Sequence, residues 1–193
     1  MRFHFKYVVP ALVVVAGITT AAQTPDYKNV GRTPTPQEVQ AVDIAIGTDG
    51  KELPPGNGNA KLGAQIYADK CMVCHGESQE GSAQAPAVVG GKGTLTSLHP
   101  KMTAGSYWPF ATTIFDYIRR AMPRFQEGTL KPDEVYSLTA FILYRNDIIK
   151  EDDVIDAKTL PKIKMPNRDG FVPQNLDEIH DWKKRGCKLG HCP

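Results

Sequence analysis

Two thiols and an imidazole stand together at Cys71-Met72-Val73-Cys74-His75. A thiol can add across a vinyl group, and an imidazole nitrogen is a ligand for iron. Cysteines three apart lie about one helical turn from each other. Both then reach one edge of a flat macrocycle, and the histidine that follows falls beneath its metal. The order C-x-x-C-H is the attachment signal for a c-type haem, with the histidine as proximal ligand. Two other chemistries use C-x-x-C. A zinc ribbon needs a second ligand pair at matching spacing, but the remaining cysteines, Cys187 and Cys192, are far along the chain and five positions apart. A thioredoxin-type redox pair is expected after a β-strand, whereas the stretch before Cys71 reads as helix. The pentapeptide in this context favours haem attachment.

The elements that must position these residues follow from periodicity and punctuation. Ala60 to Cys71 reads as the first core helix, with Gly63 and Tyr67 on one face. A glycine costs about 1 kcal/mol in a helix interior, so Gly63 is expected to let another helix cross closely. Gly76 to Gly93 is loop. In it Pro86 stands eleven residues after His75. A metal-bound histidine donates its second ring N–H to an acceptor, and the Pro86 carbonyl is the candidate because proline fixes the local backbone. Leu95 to Tyr107 continues irregularly. Pro109 to Ala121 reads as a helix with an apolar stripe of Phe110, Ile114, Tyr117, Ile118 and Ala121. It must stop before Pro123, which delivers Met122 on extended backbone 47 residues after His75. Lys131 to Arg145 reads as the last core helix. Pro132 stands at its start and Asp133 and Glu134 in its first turn, and Phe141 or Tyr144 is the expected partner for the Gly63 crossing. The candidates for a second axial iron ligand are Met102, Met122, Met165, His99, His180 and His191.

The flanks are of a different kind. Arg2 and Lys6 precede an apolar run from Tyr7 to Ala22 that ends in Thr20-Ala21-Ala22. This is the pattern of a secretory signal peptide over residues 1–22. The run contains Pro10 and falls short of the roughly 20 residues needed to span a bilayer, so no membrane span is expected in the mature chain. Losing Arg2 and Lys6 with the leader takes 23 basic residues to 21, equal to the 21 acidic ones. That balance gives no footprint for nucleic acid or an anionic membrane surface. Residues 23–58 read as an N-terminal extension. Thr35-Pro36-Gln37-Glu38 is a capping box that starts a short helix through about Ala41, Val42 to Ile46 alternates like a half-buried strand, and Leu53-Pro54-Pro55-Gly56 is a linker. The extension is expected to strap across the domain formed by residues 59–147. Residues 148–193 are a long lysine-, proline- and aspartate-rich tail, read as a wrap around that domain.

The order of C-x-x-C-H helix, loop, helix, Met122-Pro123 and final helix resembles the class I c-type cytochromes over about Ala60 to Asn146. The resemblance implies an all-α class I cytochrome c fold, three core helices around one covalent haem c, with an N-terminal strap and a long irregular C-terminal extension. It implies His75 and Met122 as iron ligands, which closes both axial positions. The stretches Gly31-Arg32-Thr33-Pro34-Thr35-Pro36, Tyr107-Trp108-Pro109-Phe110-Ala111-Thr112, Tyr117 to Pro123 and Met165 to Phe171 are further similar to the cytochrome c subunit of bacterial molybdenum-dependent sulfite or sulfane dehydrogenases. That implies a periplasmic electron-transfer subunit that is not itself the enzyme. Its expected donor is a molybdenum-cofactor subunit of sulfite-oxidase type, and its acceptor another cytochrome or an oxidase. Some members of that group carry a second haem domain, and this chain has one C-x-x-C-H. The oxidising compartment permits a disulfide, so Cys187 and Cys192 are expected to pair. The competing function is a free-standing haem enzyme of sulfur-compound or peroxide chemistry. Like a haem-based sensor, it would need an open or labile sixth position.

Overall fold

The computed structural model describes residues 30–171. The signal-peptide reading, His180, His191 and the expected Cys187–Cys192 pair lie outside the described residues. The described chain is mostly helical. It contains α1 (Pro36–Val42), β1 (Asn57–Gly58), α2 (Ala60–Lys70), α3 (Met72–His75), α4 (Ala111–Ala121), α5 (Pro132–Arg145) and β2 (Ile155–Asp156), followed by a 3₁₀ turn at Leu160–Lys162.

The core forms where α5 is crossed by α2 on one side and packed by α4 on another. α5 begins at Pro132, where the missing N–H costs nothing, and Glu134 reaches back to accept the Lys131 N–H at 2.8 Å. Its buried run from Val135 to Leu143 is unbroken, as expected of a helix covered on several faces. Tyr67 and Phe141 meet at 5.3 Å between ring centroids, and Phe115 and Tyr136 at 4.5 Å. Phe141, rather than Tyr144, therefore faces the Gly63 crossing.

α4 departs from its expected face. The helix begins at Ala111 with Phe110 as N-cap, two residues later than expected. Its buried face is Ala111, Thr112, Ile114, Phe115, Asp116 and Ile118, while Tyr117 is 47 % exposed. The stripe is rotated because α4 is covered twice: Phe115 faces α5, and the N-terminal segment lies along Asp116. The alternating Val42 to Ile46 stretch is not a strand. Val42 closes α1, no strand among the described residues lies beside those that follow, and Ile46 donates its N–H to the Asp116 carboxylate at 2.8 Å. The two short strands come from elsewhere, Asn57–Gly58 pairing antiparallel with Ile155–Asp156. Sequence periodicity gave no sign of a two-residue pairing.

Both extensions reach the core. In the N-terminal one, Ile46 and Leu53 are buried, Tyr136 donates its hydroxyl to the Pro54 carbonyl at 2.9 Å, and the Asp133 carboxylate accepts the Asn57 N–H at 2.8 Å. α1 itself buries no residue; both bonds of its capping box are made. In the C-terminal one, Ile155, Leu160 and Met165 are buried in the core. Lys164 bridges Phe110, the Arg168 guanidinium stacks 4.0 Å above the Phe110 ring, and Asn167 donates to the Tyr107 carbonyl at 2.7 Å.

Asp116 is the knot between α4 and the strap. Its carboxylate accepts from Ile46 and from the Arg120 guanidinium, while Arg119 donates to the Ile44 carbonyl at 3.1 Å. Burial alone would push its pKa up. The bonds from Arg120 and Ile46 and the charges of both arginines outweigh burial and hold it below the ordinary carboxylate value. A depressed carboxyl pKa contributes stability that is fully present above the unfolded value of about 3.9 and is lost as pH falls through the folded value. Asp116→Asn is therefore expected to flatten the acid limb of stability below about pH 4 and to cost about 1–2 kcal/mol at pH 7. Urea unfolding at a series of pH values measures both.

Candidate haem-binding site

α3 is a single turn set off from α2 by Cys71, whose backbone at φ −121° and ψ −34° is not helical. The Cys74 and His75 N–H groups both donate to the Cys71 carbonyl, at 3.1 and 3.0 Å. The two cysteines thus share one face of a tight turn, with His75 directly after. Gly76 ends the turn at φ +80°, in the left-handed region that glycine enters without strain. The buried Tyr67 hydroxyl donates to the Gly76 carbonyl at 2.9 Å, so α2 grips the exit from the motif.

His75 is half-buried, and its Nδ1 lies 3.0 Å from the Pro86 carbonyl oxygen. An N–H facing a carbonyl must donate, which fixes the tautomer and leaves Nε2 with a free lone pair. Nε2 has no hydrogen bond among the described residues. Pro86 is held in place by its neighbours: Ser82 N–H donates to the Ala85 carbonyl at 2.9 Å, and Gly81 N–H to the His75 carbonyl at 3.1 Å. Gly81, at φ +91°, admits the loop closely, since a Cβ there would stand 2.7 Å from the Ala87 nitrogen.

Met122 is the C-cap of α4, on extended backbone at φ −129° and ψ 148°. It is partly buried and packed against the core. Its N–H makes the last bond of the helix, to Ile118 at 3.1 Å. The other described candidates have different surroundings. His99 and Met102 are exposed. Met165 is 1 % exposed within the hydrophobic core, beside the turn that buries Leu160.

The donor set fits a covalently held haem. Burial pushes the Cys71 thiol up to about 11, with the Lys70 charge pulling the other way and Cys74 adding slightly. A zinc ligand or a redox-active thiol needs its thiolate stabilised, and burial at Cys71 does the reverse. A thioether is neutral and suits the same environment. No group of three or more histidine, cysteine, aspartate or glutamate side chains is assembled for a metal ion among the described residues. An imidazole with an oriented Nε2 is what a proximal iron ligand requires.

Residues 58–142 match the family described as cytochrome c oxidase, cbb3-type, subunit III. A chain in the crystal structure of the sulfane dehydrogenase SoxCD from Paracoccus pantotrophus is 36% identical, with 86% of this chain and 82% of that chain covered and a TM-score of 0.73. The chain belongs to the c-type cytochromes, a family that implies covalent haem c and electron transfer. Two further structures are similar at lower levels. Thiosulfate dehydrogenase (TsdBA) from Marichromatium purpuratum is 24% identical over 44% of this chain and 17% of that one, with a TM-score of 0.35. Cytochrome cL from Hyphomicrobium denitrificans is 19% identical over 83% of each chain, with a TM-score of 0.31. Among curated proteins no match is found.

The sequence reading missed the residues that support the motif. Gln79 and Ser82, in the loop between His75 and Pro86, carry no periodic signal. Asp116 looked like one acidic position on a helix. Only its spacing of four from Arg120 hinted at a pair, and nothing local pointed to the strap 70 residues earlier.

Proposed function

We propose that this cytochrome is a periplasmic single-electron carrier, the haem subunit of a sulfite- or sulfane-type dehydrogenase. It would accept electrons from a molybdenum-cofactor subunit and pass them to another cytochrome or an oxidase. Cys71 and Cys74 hold the haem, and His75 and Met122 are the iron ligands. When bound, the haem supplies a one-electron couple, and paired imidazole and thioether ligands raise its potential relative to two imidazoles. The chain is read as a leader over 1–22, a strap over 23–58, a haem domain over 59–147 and a C-terminal extension over 148–193 closed by a Cys187–Cys192 disulfide. Among the described residues no helix is long and apolar enough to cross a membrane.

One observation carries the ligand assignment. The Pro86 carbonyl lies 3.0 Å from His75 Nδ1, so the chain itself presents Nε2 as a base. The protein's own part is then to hold that tautomer, to keep Met122 at a helix end and to exclude water with the core around α4 and α5. Similarity to a chain of SoxCD over most of both lengths supports the partner. Purification from native periplasm tests it: a molybdenum protein should accompany the cytochrome through two unrelated columns. Isolation without any such protein, at native expression levels, argues for the free-standing haem enzyme instead. Attachment has its own test. The Cys71→Ser, Cys74→Ser double variant is expected to release its haem into acidified organic solvent, whereas the parent keeps it.

A further inference from the structure

Gln79 bears two local costs. Its backbone sits at φ +62°, a left-handed conformation that costs a residue with a Cβ about 1–2 kcal/mol. Its side chain is 4 % exposed, and Oε1 finds no donor among the described residues. A buried acceptor without a partner costs about 1–3 kcal/mol. Such features, concentrated in one residue, point to a role beyond the residue itself.

The backbone shows the role. The Gln79 carbonyl accepts two N–H groups, from Val88 at 3.0 Å and Val89 at 3.2 Å, while its own N–H donates to Gly76 at 3.2 Å. Val88 and Val89 follow Pro86 by two and three residues, and Gly76 follows His75 by one. The two peptide units that flank the Gln79 Cα therefore tie the far side of Pro86 to the exit from the cysteine motif. The Nε2 of Gln79 donates to the Glu77 carbonyl, which anchors the side chain inside the loop and holds the left-handed turn.

We propose that Gln79 is a positioning residue for His75. Its buried amide locks the left-handed turn, its carbonyl clamps Val88 and Val89, and the clamp presses the Pro86 carbonyl onto His75 Nδ1. Loosening it lengthens that bond and makes the imidazole a poorer donor to iron, which favours the ferrous state. This rests on the reading of His75 as the proximal ligand.

Gln79→Gly isolates the amide, because glycine adopts φ +62° freely and the orphan acceptor disappears. A purely local role predicts a thermal midpoint equal to or above the parent's and no effect at His75. The clamp predicts that the His75 ring N–H, followed by ¹⁵N NMR in the reduced protein, exchanges with solvent about tenfold faster, the equivalent of one ordinary hydrogen bond of local stability. It also predicts a raised reduction potential. Gln79→Asn keeps an amide and tolerates the left-handed region, so it should lie between the two. Gln79→Ala, which keeps the Cβ and drops the amide, carries the glycine variant's expectation where that variant does not accumulate. Exchange and potential equal to the parent's in the amide-free variant overturn the proposal alone. A parent without a haem-ring-current-shifted, slowly exchanging His75 ring proton removes the ligand reading and the clamp together.

Discussion

Met122→Ala is expected to abolish the weak far-red absorption band that marks methionine–iron ligation in the ferric protein. The ferrous form should then bind carbon monoxide. Axial-ligand identity moves haem potentials across a range of about 0.8 V, and losing a thioether is expected to lower this one by about 0.1 V or more. Stability should change less than the spectrum does, because Met122 is a helix cap and only partly buried. Met165→Ala is the necessary counterpart. Met165 is 1 % exposed in the core, and removing a buried methionine side chain costs about 2–5 kcal/mol. Its variant should unfold at lower urea concentration with the far-red band intact. The two variants thus separate in opposite directions, one in colour and one in stability. If Met165→Ala loses the band while Met122→Ala keeps it, the ligand is Met165, and the wrap of the C-terminal segment becomes part of the metal site.

How much of this was legible in the sequence depended on how local the cause was. C-x-x-C-H is a contiguous pattern, and a proline eleven residues later is close enough to be read as a partner in one loop. The ends of α5 were legible because proline and acidic residues mark a helix start through local electrostatics. The Thr35 capping box was legible for the same reason, and α1 forms there although it buries nothing. The face of α4 was not legible. Periodicity identifies the apolar side of a helix and does not say that a buried carboxylate will be claimed by a strap 70 residues away. The Val42 to Ile46 alternation failed because a strand needs a neighbour with a free edge, and sequence pattern does not supply one. For residues 155–165 the sequence signals only a wrap, not a contribution to the core. Ile155, Leu160 and Met165 are five apart, a spacing that matches neither helix nor strand, so no period announced them.

Gly63→Ala should be the most damaging small substitution in the helical core. In an open helix the change would stabilise by about 1 kcal/mol. Here a Cβ on residue 63 would fall inside contact distance of the Ser137 carbonyl oxygen, 2.6 Å from its carbon and 2.7 Å from the Phe141 Cβ. Two of these atoms belong to the backbone of α5 and cannot rotate away, so α2 and α5 must separate along their whole crossing. Ser137 is fully buried and is also approached by Gly58, where a Cβ would stand 2.7 Å from the Ser137 Cα. α5 therefore meets two glycines at the one residue Ser137, and a Cβ at either would strike its backbone. Overpacking typically costs about 1–3 kcal/mol and occasionally more; with backbone of α5 in the way a gross cost of about 3–5 kcal/mol is expected here, and the helix-propensity gain of about 1 kcal/mol leaves a net loss of about 2–4 kcal/mol on urea unfolding. Gly128 supplies the comparison. It sits at φ +76° with nothing within 4 Å of an added Cβ, so Gly128→Ala should cost only the conformational penalty of about 1–2 kcal/mol. A Gly63→Ala protein as stable as the Gly128→Ala one would mean that α2 and α5 do not cross as closely as described. It would also remove the reason for a glycine in the helix that leads into Cys71.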